Sequence, residues 1–236
     1  MGKRFFELDA LRGLAIVMMV AFHFLFDLNF LGIMKIAMYE GFLLLFQRTT
    51  ASLFLLVVGI ILSVSYANGK TGFHHYLKRG ASLFAVAILI TAVTWIYPHD
   101  GFIVFGIIHL ISFSVIIGYF FLKKYYLNMV AGIAAIIVGL LLAGTSANTN
   151  LLLWLGIPPQ NFYTFDYYPV FPWFGIVLIG IFLGKFLYAE KKIQVKEMKN
   201  SILNLLCHLG QRSLVIYLIH QPILLAILML YKYYVR

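Results

Sequence analysis

The sequence predicts an all-α polytopic membrane protein, with about seven transmembrane helices around a central polar cavity and its N-terminus in the cytoplasm. Three observations carry that expectation. The chain of 236 residues is 63% hydrophobic and only 11% charged, with a mean hydropathy of +0.95, which is more apolar surface than a soluble domain can hide. The apolar residues form continuous runs of about twenty, the length of a membrane helix, instead of the short alternating segments of a barrel. The cations gather in alternate connections, which is the positive-inside bias of a chain that crosses a membrane repeatedly.

The runs cover roughly residues 11–31, 42–66, 81–97, 104–122, 127–144, 170–188 and 212–232, and each is read as one span. Lys70, Lys78 and Arg79 separate the second run from the third, and Lys123 and Lys124 the fourth from the fifth. Lys185, Lys191, Lys192, Lys196 and Lys199 fill the connection after the sixth. Placing these on the cytoplasmic side puts the C-terminus outside. The third run is short and stops at Tyr97-Pro98-His99-Asp100-Gly101, a tight outer turn. The stretch 145–169 mixes Asn, Pro and aromatic residues, with a short apolar run Leu151–Leu155 inside it. It is read as a lid or re-entrant piece, with an ordinary interfacial loop as the alternative. Residues 189–211 are basic, with Ile193, Met198, Ile202, Leu205 and Leu206 at helical spacing, a cytoplasmic amphipathic helix leading into the last span. No internal repeat is visible, and the chain is read as one domain, 1–236.

The net charge of +10 does not call for nucleic acid, because the cations lie where membrane topology places them. The basic start MGKR is followed by too long an apolar run for a cleaved signal peptide. Cys207 is the single cysteine, so no internal disulfide is expected, and no cluster has metal-ligand spacing.

The first span carries three ionisable residues, Arg12, His23 and Asp27. Such a group in hydrocarbon costs on the order of 3 kcal/mol, and chains keep one mainly where it has a task. Arg12 and His23 are eleven residues apart, which leaves them ~20° apart around a helix and ~16 Å apart along it. Asp27 follows one turn beyond His23 on the same side. His23 reads as a general base whose ring a carboxylate orients; one satisfied hydrogen bond to a neighbouring helix is the plain alternative. Arg12 reads as a phosphate clamp, against snorkelling to headgroups or a simple pair with Asp9. In the last span His220 lies about two turns in from Arg212 and shares one face with Ser213 and Tyr217, and Pro222 frees the Leu218 carbonyl. His109 with Ser112 makes a weaker polar patch. Arg48 is an interfacial arginine or a partner of Asp27 or Glu40. His74 and His75 lie beside Lys78 and Arg79. Gly175, Gly180 and Gly184 read as close-packing positions.

Several of these segments together resemble a known family. Glu7-Leu8-Asp9-Ala10-Leu11-Arg12-Gly13, with ten residues between Arg12 and His23, resembles the first helix of the integral-membrane acyltransferases. Phe171-Pro172-Trp173-Phe174-Gly175, Gly106-Ile107-Ile108-His109 and Ser213-Leu214-Val215-Ile216-Tyr217-Leu218-Ile219-His220-Gln221-Pro222 are similar to prokaryotic relatives of heparan-alpha-glucosaminide N-acetyltransferase. The resemblance implies transfer of an acetyl group from cytoplasmic acetyl-CoA to a sugar-like hydroxyl or amine at or across a cell membrane, with Arg12 and His23 as the functional pair. Three departures stand out, the first being that the eukaryotic enzyme has an asparagine at the place of His23. This chain is shorter than the eukaryotic enzyme, and it has Met34 where that enzyme places its catalytic histidine, so that histidine is not carried over.

The expected site therefore has His23, Asp27 and Arg12 as catalytic residues. Arg12, Lys78, Arg79 and Arg212 meet the coenzyme phosphates, while Arg48, His109, Trp173, Tyr217 and His220 line the substrate cavity. Acetyl-CoA is the donor, no metal is used, and membrane lipid and a sugar or glycolipid-like acceptor are the other partners. A homodimer is compatible with a chain of this size. Direct transfer and an acetyl-histidine intermediate both remain open. The rival reading is a small-molecule or proton-coupled transporter using His23, His109 and His220 as a relay, although the paired halves common in transporters are not evident.

Overall fold

A computed structural model describes residues 5–189 and 200–235, and the described residues are helical with short turns and loops between. The helices are α1 (Phe6–Phe30), α2 (Gly41–Ala67), α3 (Phe73–Ile96), α4 (Ile107–Gly118), α5 (Tyr126–Leu142), α6 (Val170–Gly184), α7 (Ser201–Gln211) and α8 (Ser213–Val235). Among the described residues, α1, α2, α3, α8 and the stretch Val170–Tyr188 are long and apolar enough to cross a membrane; α5 and Ile107–Phe121 are apolar but shorter.

The chain divides into two compact units. One holds Met1–Phe54 and Val195–Arg236, the other Leu55–Gln194.

In the first unit α1 opens with Glu7 and Asp9 in its first turn, where carboxylates suit the positive end of the helix dipole. It is packed along its N-terminal half by α7 and further on by α8. The α1–α7 approach depends on glycine. A Cβ at Gly13 would overlap the Leu206 carbonyl, and one at Gly210 would overlap the Asp9 carbonyl. Cys207 Sγ donates to the Phe6 carbonyl at 3.2 Å. The pairs His23–His220, Asp27–Gln221 and Leu31–Lys232 advance together, so α8 runs in the same direction as α1. Lys232 Nζ donates to the Leu31 carbonyl at 2.7 Å and so satisfies one of the carbonyls that a helix end leaves open.

In the second unit the latter half of α2 packs on α6 where a Cβ at Gly59 would meet the Val177 carbonyl and one at Gly180 the Leu56 carbonyl. On the other side of α6, Gly132 and Gly175 press against each other's carbonyls and Gly139 against Pro172, so α5 and α6 are antiparallel. This is the small-residue packing read from Gly175, Gly180 and Gly184. Ser112 Oγ donates to the Gly80 carbonyl at 2.8 Å across the α3–α4 contact.

Several boundaries differ from the hydropathy runs. α3 begins at Phe73, not near residue 81, and so includes Lys78 and Arg79, which are exposed. Lysine and arginine are good helix formers, and they interrupt the hydropathy without interrupting the helix. α6 has a non-helical residue at Phe171. The Tyr97–Pro98 and Phe171–Pro172 peptide bonds are cis. Of the expected amphipathic helix over 189–211, α7 is described; Lys191, Lys192, Ile193, Lys196, Met198 and Lys199 lie outside the described residues. The stretch 145–169 is pinned down. Phe165 N–H donates to the Gly101 carbonyl, Tyr168 N–H to the Phe105 carbonyl, and Tyr167 Oη to the Leu153 carbonyl at 2.6 Å.

Candidate functional site

The polar groups of α1 meet a second set supplied by α8. His23 and His220 face each other with ring centroids 4.8 Å apart and planes at 66°. Asp27, fully buried, accepts a hydrogen bond on Oδ1 from Gln221 Nε2 at 2.6 Å. His220 is buried, and its Nδ1 lies 2.7 Å from the Tyr217 carbonyl. Phe22 and Phe26 stand edge-on to the His23 ring, with centroids 6.0 and 6.4 Å away. The result is a small polar cluster walled by aromatic and aliphatic side chains. His23 Nδ1, His220 Nε2, Asp27 Oδ2 and Gln221 Oε1 are all buried with no hydrogen-bond partner among the described residues. Four such atoms on two facing helix surfaces are unusual, because buried polar groups are nearly always satisfied.

The cluster differs from the sequence expectation in one respect. Asp27 was expected to orient the His23 ring or to pair with Arg48; it takes its hydrogen bond from Gln221 instead. The residue facing His23 is His220. Sequence reading placed His220 on a polar face and joined it to His23 only as part of a transporter relay, and it gave Gln221 no part. One signal was available. A carboxylate deep in an apolar helix needs a donor, and Gln221 is the one side-chain amide in α8.

At the other end of α1, Arg12 forms an ion pair with Asp9. Asp9 also accepts from Gln211 Nε2 at 3.3 Å. Arg12 Nε is buried and has no hydrogen-bond partner among the described residues. Arg212 follows at the α7–α8 junction and is exposed. These two cations belong to the same end of the first unit as Asp9 and Gln211. Arg48 is exposed on α2. Tyr217, half-buried, has its ring centroid 5.7 Å from that of His220.

The remaining expected site residues lie in the second unit. His109 accepts from the Gly106 amide on Nδ1 at 3.2 Å, and its Nε2 is 3.4 Å from Thr91 Oγ1. Asp166 Oδ2 accepts from the Ile107 amide at 2.9 Å. His109 and Asp166 thus both serve the start of α4, where backbone N–H groups have no partner within the helix. Trp173 packs edge-on against Tyr168, centroids 4.8 Å apart. Among the described residues no group of three or more His, Cys, Asp or Glu side chains could hold a metal ion.

Residues 4–222 match the family model described as Heparan-alpha-glucosaminide N-acetyltransferase, catalytic. The matched stretch runs from the start of α1 to Pro222 and so takes in both histidines of the cluster and Gln221. Among curated proteins and among solved structures nothing matches.

Proposed function

Since the chain belongs to the heparan-alpha-glucosaminide N-acetyltransferase catalytic family, and is therefore a membrane acyltransferase, we propose that it takes an acetyl group from cytoplasmic acetyl-CoA. The acetyl group passes to a hydroxyl or amine of a sugar-like acceptor at or across the cell membrane. The observation that carries this reading is the family match across residues 4–222; it does not favour the transporter alternative.

The α1 residues fit the chemistry. Arg12, with a buried and unpartnered Nε, would hold a coenzyme phosphate, and Arg212 would add charge at the same end of the unit. Lys78 and Arg79 are proposed phosphate contacts on charge alone. His23 lies ~16 Å further along α1, a separation that suits a ligand with phosphates at one end and a thioester at the other. There it would take the proton from the acceptor hydroxyl or amine as that atom attacks the thioester carbonyl. The carbon–sulfur bond breaks, and His23 returns the proton to the departing sulfur. Seven spans and a cytoplasmic N-terminus complete the proposal, because they put Arg12 on the side where acetyl-CoA is made.

The test is acetyl transfer by purified protein in lipid vesicles. Labelled acetyl groups should pass from acetyl-CoA to an acceptor sugar, and His23→Ala should abolish the transfer. CoA should raise the melting temperature of the wild type, and Arg12→Ala should remove most of that rise. Flux of a small molecule without any acetyl transfer would overturn the reading.

A further inference from the structure

We infer that His220 is the proton partner of His23, so that the base of the reaction is a two-imidazole unit shared between α1 and α8. This rests on the acyltransferase reading above. The tautomers follow from the geometry. A backbone carbonyl only accepts, so the 2.7 Å contact between His220 Nδ1 and the Tyr217 carbonyl places the proton on Nδ1. In the neutral ring Nε2 is then a bare lone pair. That Nε2 is buried and has no partner among the described residues, and neither has His23 Nδ1. The two rings stand with centroids 4.8 Å apart, and the inferred bond is made by turning the His23 ring about its terminal torsion toward His220 Nε2, with the His220 Nδ1–Tyr217 contact kept. Such hydrogen bonds are often long before substrate binds and tighten afterwards.

The assignment completes the proton path. His23 donates Nδ1–H to His220 Nε2, which fixes its own tautomer and leaves His23 Nε2 as the atom that faces the acceptor. When His23 Nε2 takes the proton from the acceptor oxygen or nitrogen, the Nδ1 proton moves to His220 Nε2 and the positive charge rests on His220. The proton returns through His23 to the thiolate sulfur, giving the acetylated acceptor and free CoA thiol, with no other reactant consumed. Asp27, one turn beyond His23 on α1, is the other titratable group on this stretch, and Gln221 holds it through Oδ1. His220 thus acts on the acceptor only through His23 and is a positioning residue.

The experiment compares wild type, His220→Ala and His220→Gln in the vesicle assay, with CoA-induced melting as the measure of an intact fold. His220→Ala is expected to lower kcat by roughly 10²–10⁴-fold with KM and the CoA shift nearly unchanged. Added imidazole should raise its rate in a saturating way. His220→Gln, which offers an acceptor oxygen but cannot take a proton, should stay as slow as His220→Ala. Wild-type kcat in either variant would overturn the inference. So would a slow His220→Ala that imidazole does not rescue, or one that has lost the CoA shift, since both would mark packing. A wild-type protein that transfers no acetyl group would instead sink the acyltransferase reading itself.

Discussion

Gln221 is the donor to the fully buried carboxylate of Asp27. Gln221→Leu keeps the bulk and leaves neither oxygen satisfied, which should cost about 1–3 kcal/mol and lower the melting temperature in detergent; an unchanged melting curve would show the bond contributes nothing. Asp166 gives a second prediction at this scale. Burial pushes its carboxyl up to about 6, against the Ile107 amide bond that pulls it down. The folded chain therefore holds this proton more tightly than the unfolded chain does. That contribution is complete below the ordinary carboxyl value of about 4 and is lost as pH rises through about 6. Asp166→Asn keeps an oxygen for the Ile107 amide and cannot titrate. The wild type should lose melting temperature relative to this variant across that window, and parallel curves would refute the assignment. The stripe of Arg12, His23 and Asp27 was legible because helical periodicity alone aligns it. The cap from Asp166 was not, because its partner is 59 residues away in the chain, and nothing local announces it.

The contacts between elements depend on glycine where backbones come together. Gly13→Val and Gly210→Val would each drive a side chain into a backbone carbonyl across the α1–α7 contact, and overpacking of this kind costs about 1–3 kcal/mol or more. Gly144 is the control. It has φ +82° and nothing within 4 Å, so Gly144→Ala adds only the strain of a left-handed residue, roughly 1–2 kcal/mol, with no helix pushed aside. The two α1–α7 variants should lose more melting temperature and weaken CoA protection with it, and equal effects would mean the close approach is absent. Element by element, hydropathy found α2 and α8 within a few residues, because polar residues flank α2 on both sides and Gln211-Arg212 precede α8. It placed the start of α3 too late, since Lys78 and Arg79 look like a loop by hydropathy but not by helix propensity.

For the whole molecule, α1 and α8 run in the same direction, which requires an odd number of crossings. Five long helices satisfy this, and so do seven once α4 and α5 each cross. The exposed Lys123, in the connection between α4 and α5, separates the two cases. With Cys207 replaced by Ser and the N-terminus fixed in the cytoplasm by a reporter at residue 1, a Lys123→Cys chain should react with an impermeant thiol reagent from the cytoplasmic side only; labelling from the opposite side would leave five spans. The all-helical class was readable from composition because hydrocarbon leaves a chain so few options. Which helices would share the site was not, since that depends on partners far apart in sequence. Asp27 waits 194 residues for Gln221, Leu31 waits 201 for Lys232, and Asp9 waits 202 for Gln211. Synthesis runs from α1 toward α8, so α1 enters the membrane well before its partner helix exists. While the middle of the newborn chain is still being made, α1 sits in lipid with an unanswered Asp27, at a cost of roughly 3 kcal/mol, and the arrival of α8 with Gln221 relieves it.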